Sequence, residues 1–244
     1  MSYTNGPTVV KDNLILYYDG FNPKCYSSGN TNLVDMSINR KSMTLTGSYN
    51  FGQNYVRFNN GYISGGPDDS LYRFNAGDSV TISTWVRYTG NFSEDRGCMF
   101  TIGGDNSVSR DRNLQIRIEN TTTNGELGFI YRNDLNTTWN IYESSSQSLF
   151  PNQWVNVTWR YGYTTGSSIE LYLNNTKKTD LSWVQGNGNQ DPIIPPSVFF
   201  IGVGEDANGE EFKGDIGTIL LYRDYLTRDQ MTQNYNAFKS RYGL

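Results

Sequence analysis

The sequence contains no histidine among its 244 residues. A chain without imidazole lacks a common ligand of zinc sites, the base of Ser-His and Cys-His nucleophile pairs, and the side chain that titrates near neutral pH. A catalytic site in this chain would therefore have to use carboxylates or a lysine.

Cysteine and long apolar runs are also scarce. Only Cys25 and Cys98 occur, and we interpret them as reduced thiols of a protein made in a reducing cytoplasm; a disulfide stays open because sequence gives no distance between them. No segment approaches the roughly 18 consecutive apolar residues of a membrane span. Residues 1–7 show no basic stretch followed by an apolar one, so we expect neither a membrane span nor a secretory signal.

Clusters of basic residues are missing as well. The chain has 20 Lys and Arg against 24 Asp and Glu, which gives a formal net charge of −4. Nucleic-acid binding draws its affinity from Lys and Arg that neutralise phosphates. We therefore expect no nucleic-acid partner.

The sequence does have a series of short alternating segments. In residues 80–88, Ile82 and Val86 fall on one face of a strand and Trp85 falls on the other. Similar segments recur about every 10 to 15 residues, separated by loops rich in Gly, Asn, Asp and Pro, which favours an antiparallel sandwich over parallel βαβ units. We expect one domain over residues 9–244 after a leader of residues 1–8.

Two turn signals and one helix signal refine this prediction. Residues 9–18 are predicted to form the first strand, and Asn59-Asn60-Gly61 predicts a hairpin turn before the chain resumes a strand at residue 62. Near the C-terminus, Thr227-x-x-Gln230 fits a capping box at the start of a helix. The apolar side chains of that helix recur at helical spacing and are predicted to face the sandwich; they are Met231, Tyr235 and Phe238.

Several motifs follow one another in a characteristic order. They are Tyr-Asp-Gly-Phe-Asn-Pro-Lys-Cys-Tyr at 18–26, Asp-Met-Ser-Ile-Asn at 35–39, Thr-Ile-Ser-Thr-Trp-Val at 81–86, Trp-Val-Asn-Val-Thr at 154–158, Leu-Tyr-Leu-Asn at 171–174, and the closing Asn-Tyr-Asn-Ala and Arg-Tyr-Gly within 234–243. Together they resemble the laminin-G-like, concanavalin A-like jelly-roll domain of the type found in tailed-phage virion proteins. The resemblance covers residues 14–243.

The resemblance implies an all-β fold, an antiparallel two-sheet jelly-roll sandwich with a short C-terminal helix. It also implies a structural protein of the phage surface, either a capsid decoration protein or a tail or baseplate appendage. Such a protein would be made in the host cytoplasm, reside in the virion, contact other virion proteins as part of a larger assembly, and bind host-surface glycans. The alternatives are a free-standing carbohydrate-binding protein and, less favoured, a glycoside hydrolase on the same scaffold.

A structural calcium ion, which many members of this family hold, is not expected here. The closing strand of the family often carries an acidic residue where this chain has Gly217, although Asp215 lies two residues earlier. Ca²⁺ requires about six to eight oxygen ligands, and Asp35 and Asn39 alone do not supply them. We therefore expect no cofactor, with a structural calcium ion as the less favoured alternative.

Two segments are candidates for ligand binding. The first is rich in aromatic, amide and charged groups that suit sugars, with the alternative that it only packs within a hairpin; its residues are Tyr131, Arg132, Asn133, Asp134 and Trp139. The second is an acidic loop, with the alternative that it is a solvated turn; its candidate residues are Asp206, Asn208 and Glu210.

Catalysis is not expected. Glycoside hydrolases use two carboxyl groups about 5 to 9.5 Å apart. In the related β-glucanases these lie on one strand as Glu-x-Asp-x-x-Glu, and this pattern is absent from the sequence.

Overall fold

A computed structural model of the chain describes residues 8–20, 22–26, 31–75, 77–89, 96–103, 112–119, 125–132, 139–162, 168–185, 197–204 and 210–244. The strands in the first half are β1 (Leu14–Asp19), β2 (Asn32–Val34), β3 (Ser42–Phe51), β4 (Val56–Asp69), β5 (Val80–Tyr88), β6 (Arg96–Gly103) and β7 (Arg112–Glu119). Those in the second half are β8 (Glu126–Arg132), β9 (Trp139–Ser144), β10 (Trp154–Gly162), β11 (Ser168–Leu173), β12 (Thr176–Lys177), β13 (Leu181–Gln185), β14 (Ser197–Ile201) and β15 (Gly214–Tyr222). The helix α1 covers Arg228–Phe238 and continues into a 3₁₀ turn over Lys239–Tyr242.

The strands form one antiparallel sheet that curls into two layers. Its order is β12-β11-β10-β5-β15-β4-β14-β6-β7-β8-β9-β13, with β1 beside β15 and with β3 joining β2 to β4. The first layer holds β12, β11, β10, β5, β15 and β1, and the second holds β14, β6, β7, β8, β9 and β13. The long strand β4 links the layers, because its first residues pair with β15 and its later residues pair with β14. The expected all-β jelly-roll sandwich with a C-terminal helix is confirmed, and its two layers share one continuous hydrogen-bonded sheet.

The main core lies between the layers. The Phe129 ring of β8 stacks on the Trp159 ring of β10 with centroids 5.3 Å apart, and the Tyr131 and Tyr161 rings of the same two strands lie tilted with centroids 5.5 Å apart. In β5, Val86 belongs to this core. Trp85 points to the opposite face and joins a second cluster, as the alternation predicted.

The helix α1 covers the outer face of the first layer and forms this second cluster. Its capping box is complete, since the Thr227 hydroxyl accepts from the Gln230 N–H at 3.3 Å and the Gln230 side chain accepts from the Thr227 N–H at 2.8 Å. The Tyr235 ring stacks on Trp85 at 5.6 Å, and Met231 and Phe238 are buried, as expected. None of the helices in the described part of the chain has the length and apolarity required to cross a membrane.

The C-terminal turn closes onto the first strand and explains the glycine at position 217. The Tyr242 ring stacks on Trp85 with centroids 4.5 Å apart, and a Cβ at Gly217 would collide with the Tyr242 hydroxyl. The Arg241 guanidinium binds both oxygens of the buried Asp19 carboxylate, at 2.8 and 2.9 Å. The Tyr242 hydroxyl therefore occupies the space that the acidic side chain usual in the family would need. Arg241 of the closing motif neutralises Asp19 of the opening motif.

Two local predictions from the sequence were wrong. The first strand begins at Leu14 rather than at residue 9, because Asn13 adopts a left-handed conformation (φ 55°) that interrupts extended backbone. The predicted hairpin at Asn59-Asn60-Gly61 does not form, because β4 runs straight through it. Instead, Asn60 (φ 65°) lies opposite a β3 register shift, and a Cβ at Gly61 would lie 2.5 Å from the Ser48 carbonyl oxygen.

Both cysteines are buried free thiols. Burial raises the pKa of Cys25 and of Cys98 to about 12. A thiol with such a pKa stays protonated at neutral pH and reacts slowly, because the thiolate is the nucleophile.

Asn234 of α1 ties the helix to the sheet and to the segment before β1. Its Oδ1 accepts from the Val10 N–H at 2.9 Å and its amide donates to the Tyr222 hydroxyl at 3.0 Å. We expect Asn234→Ala to lower the free energy of unfolding by about 1–3 kcal/mol, since it removes the partner of a buried N–H, and to lower Tm by roughly 3–8 °C. Thermal unfolding checks this; equal Tm values for Asn234→Ala and the matched variant Asn236→Ala would contradict it.

Candidate functional site

The outer face of the second layer, which in most sandwiches is exposed to solvent, carries charged side chains that are buried. On β7, Leu114, Ile116 and Ile118 alternate into the core. The residues between them point to the other side and are at most 1% exposed; they are Gln115, Arg117 and Glu119. This is an unusual amount of buried polarity for one strand, because buried charges are costly unless they are paired.

The segment after β14 covers these residues. The Cys98 N–H of β6 donates to the Glu210 carbonyl at 2.8 Å, and Cys98 and Glu211 form a parallel bridge. The Glu210 carboxylate accepts from the Gln115 amide at 2.8 Å and lies 3.9 Å from Arg117. The crossing segment therefore supplies both the cover and part of the charge that the face requires.

Glu119 is held between two arginines. Its carboxylate accepts from Arg117 on the same strand and from Arg96 of β6, the latter at 3.2 Å. Burial is the main influence on Arg117 and lowers the pKa of its guanidinium, while the Glu119 charge opposes that change. A buried carboxylate between two guanidiniums has most of its lone pairs occupied, so it serves as a fixed support.

Gly128 makes room for the Glu119 carboxylate above the sheet. Arg117, Gly128 and Glu143 lie opposite one another on β7, β8 and β9. A Cβ at Gly128 would lie 2.8 Å from a Glu119 carboxylate oxygen. Burial is the main cause that raises the pKa of Glu143. The nearby Glu119 charge and a hydrogen bond to Glu119 raise it further. Glu143 therefore keeps its proton to a higher pH than an ordinary glutamate does.

We call this set the polar face; its residues are Arg96, Gln115, Arg117, Glu119, Glu143 and Glu210. Gln115, Arg117 and Glu119 form its buried floor. Three members reach solvent, since Arg96 is 41% exposed, Glu210 is 17% exposed and Glu143 is half-buried. Planar amide, guanidinium and carboxylate groups form paired hydrogen bonds, and here the floor fixes their orientation. The arrangement is suited to binding neighbouring hydroxyl groups of a sugar.

The predicted site residues fall in different places. The Tyr131 ring is fully buried and packs in the core against Phe129, Tyr142 and Tyr161, so it is not exposed for stacking on a sugar, in line with the packing alternative. Arg132 and Trp139 lie directly opposite each other on β8 and β9.

The remaining predicted residues belong to the two loops. Asn133, Asp134, Asp206 and Asn208 lie outside the described residues. Glu210 lies on the polar face. The structure thus joins one residue of the acidic loop to β6 and β7.

The Asp35 turn, considered above as part of a calcium site, binds donors of the chain itself. Its carboxylate accepts from the Tyr17 N–H at 2.7 Å, the Ser37 N–H at 2.8 Å and the Ser37 hydroxyl at 2.5 Å. Within the described ranges, no three or more Asp, Glu, Cys or His side chains are arranged to hold a metal ion. In this structure the turn fastens β1 to the chain before β3.

Sequence reasoning missed five members of the polar face: Arg96, Gln115, Arg117, Glu119 and Glu143. The three on β7 lie in the stretch Leu-Gln-Ile-Arg-Ile-Glu, which is also the pattern of a strand with one solvated face. A usable signal was Gly128, because a glycine inside an otherwise regular strand often marks a place where another group approaches closely.

We expect Glu143→Gln to stabilise the protein at neutral pH. The folded-state pKa of Glu143 is raised, so ionising it costs stability above its ordinary pKa, whereas below that pKa both states are protonated and nothing is lost. The amide keeps a donor toward Glu119. Tm should therefore rise by about 1–3 °C near pH 7.5, and the gain should disappear near pH 4. A gain of the same size at both pH values, or the same gain in the control Glu211→Gln, would argue against the raised pKa of Glu143.

Comparisons with known proteins agree with this architecture. The chain matches 232 chains of known structure. The receptor-binding domain of botulinum neurotoxin mosaic serotype C/D superposes with a TM-score of 0.64 at 18% identity, over 92% of this chain and 51% of that one. Domain 4 of a GH43 extracellular arabinanase from Geobacillus stearothermophilus, in complex with arabinotriose, gives 0.57 at 17% identity, over 91% and 98%.

A third structure, a mutant of Trypanosoma rangeli sialidase displaying trans-sialidase activity, gives a TM-score of 0.63 at 12% identity, over 97% of this chain and 34% of that one. This chain spans about half the length of the botulinum neurotoxin receptor-binding domains that it matches. At these identities the likeness shows the fold alone. No curated protein matches the sequence. The family described as the concanavalin A-like lectin/glucanases superfamily matches residues 50–232, well over half of the chain. The chain therefore belongs to the concanavalin A-like lectin/glucanases superfamily.

Proposed function

We propose that this protein is a structural surface protein of a tailed-phage virion, as a capsid decoration protein or a tail or baseplate appendage, and that it binds host-surface glycans through the polar face. The virion assignment is supported by the order of sequence motifs that resemble phage jelly rolls. Two of those motifs depend on each other physically, since Arg241 of the closing motif neutralises Asp19 of the opening one.

The observation that carries glycan binding is the fixed polar face on a lectin-like fold. Its exposed groups rest on a floor whose charges are already paired, so little ordering remains to be done when a ligand binds. The face holds three carboxyl groups against two guanidiniums. It therefore offers more acceptors than donors and suits the hydroxyl groups of a neutral sugar. One structural neighbour is described as a complex with arabinotriose, which is consistent with a carbohydrate ligand for this chain.

We propose further that the polar face binds without cleaving. Glu119 is fully buried, and its carboxylate accepts hydrogen bonds from two arginines. Hydrolysis needs two carboxyl groups on either side of a glycosidic bond, about 5 to 9.5 Å apart, and a buried carboxylate held by two guanidiniums does not reach a substrate. This arrangement supports a binding role over a catalytic one.

The virion assignment is tested on purified particles. We expect the protein to copurify with intact particles in a fixed stoichiometric ratio to the major capsid or tail protein, measured by quantitative mass spectrometry. Particles without the protein would overturn the assignment. A soluble protein that binds glycans but is absent from particles would instead be a free-standing carbohydrate-binding protein.

Glycan binding is tested on an array with three proteins: wild type, Arg96→Gln, and Arg40→Gln as a matched control. Arg40 is exposed in the turn between β2 and β3. We expect Arg96→Gln to weaken binding of neutral glycans about tenfold, because it removes a charged donor at the edge of the site, and Arg40→Gln to leave it unchanged. A blank array would remove the glycan part of the proposal and leave the virion part standing. Release of reducing sugar by the wild type would contradict a purely binding role.

A further inference from the structure

A second surface, on the outer face of the first layer, joins two arginines to two aromatic rings. Arg57, Asp215, Arg87 and Trp154 lie opposite one another on the adjacent strands β4, β15, β5 and β10. The Tyr55 ring lies over this row, with the Arg87 guanidinium carbon 5.1 Å from its centroid. We call this set the arginine–aromatic patch.

One buried carboxylate fixes both arginines. Asp215 is fully buried and accepts from Arg57 Nε at 2.7 Å and Nη2 at 3.0 Å, and from Arg87 Nε at 2.7 Å. The side chains of Arg57 and Arg87 are nevertheless 39% and 25% exposed. Two guanidiniums share one carboxylate, so the patch carries one excess positive charge on a chain whose formal net charge is −4.

The aromatic rings are fixed as firmly as the arginines. Tyr55 and Trp154 lie 5.7 Å apart, and Trp154 packs on Tyr242 at 4.5 Å, which joins it to the stack formed by Trp85 and Tyr235. Any side chain at Gly52 would collide with the Tyr55 ring. The turn before β4 is therefore shaped to let Tyr55 lie over the patch.

The polar groups of the patch that remain available to a ligand can all donate a hydrogen bond. Within the described part of the chain, the Nη1 groups of Arg57 and Arg87, the Trp154 indole N–H and the Tyr55 hydroxyl have no hydrogen-bond partner. All four lie on a half-buried surface with an excess positive charge. A fitting ligand presents an anion, hydrogen-bond acceptors and an apolar C–H surface for the rings, because guanidinium pairs with carboxylate and aromatic faces pack on C–H groups.

We infer that the arginine–aromatic patch binds a carboxylate-bearing saccharide, such as a uronic acid or sialic acid residue. A peptide carboxylate would satisfy the arginines, but a sugar ring also matches the two tilted aromatic faces and the indole donor. The inference does not rest on the glycan site of the polar face, which has an excess of carboxyl groups and lies on the opposite outer face.

The test is isothermal titration of the full chain with oligogalacturonate and with its methyl ester, which differ in charge but not in ring chemistry. We expect the free acid to bind about tenfold or more tightly than the ester, and Arg57→Gln to abolish that difference, because it removes the excess charge and leaves Asp215 paired with Arg87. Binding of the acid should also weaken with added salt. Sialyllactose against lactose repeats the comparison with a sialic acid.

Three further proteins keep the outcome interpretable. Tyr55→Phe preserves the ring and should lose only part of the affinity, so it reports on the patch even where Arg57→Gln fails to fold. Arg73→Gln, an exposed control, should bind as wild type does. Arg96→Gln, a change on the polar face, should not alter acid binding.

Failure of the inference is distinct from failure of the proposed function. Equal affinity for acid and ester, or unchanged acid binding in both Arg57→Gln and Tyr55→Phe, overturns the inference. Tighter binding of polyglutamate than of the sugar acids would overturn it in favour of an acidic protein segment. Loss of acid binding in Arg96→Gln alone would move the site to the polar face.

Discussion

The rest of this structure depends on β4, the strand that belongs to both layers. It pairs with β15 at one end and with β14 at the other, so the sheet turns back on itself and buries one face of each layer in a common core. Each layer then keeps one outer face, where alternation places the polar residues of every strand. The polar face and the arginine–aromatic patch lie on these two outer faces, and the core separates them.

The two outer faces share one electrostatic arrangement. Each buries one carboxylate between two arginines, with Glu119 between Arg96 and Arg117 on one face and Asp215 between Arg57 and Arg87 on the other. The second arginine keeps each buried carboxylate compensated when the first is removed, and the intact group orients its guanidiniums at little entropic cost. The faces differ in what is added. Two more carboxyl groups, those of Glu143 and Glu210, join the polar face, while two aromatic rings join the patch.

The sequence predicted what depends on local periodicity. Alternation in β5 and the capping box of α1 were confirmed because neighbouring residues alone determine them. Asn60-Gly61 was misread because a hairpin turn and a β-bulge both require left-handed or side-chain-free backbone. Burial of the polar face was not predictable from β7 itself, since its cover includes Glu210, which lies 95 residues from Gln115. The arginine–aromatic patch needed the registers of four strands that are distant in sequence.

The opposite charge balance of the two faces has a consequence for a protein displayed on a larger assembly. A subunit that docks through one outer face hides that face and leaves the other available, so docking and ligand choice are linked. Acidic-sugar binding measured on free protein and lost on assembled particles would then locate the docking surface on the first layer, whereas binding retained on particles would place it elsewhere.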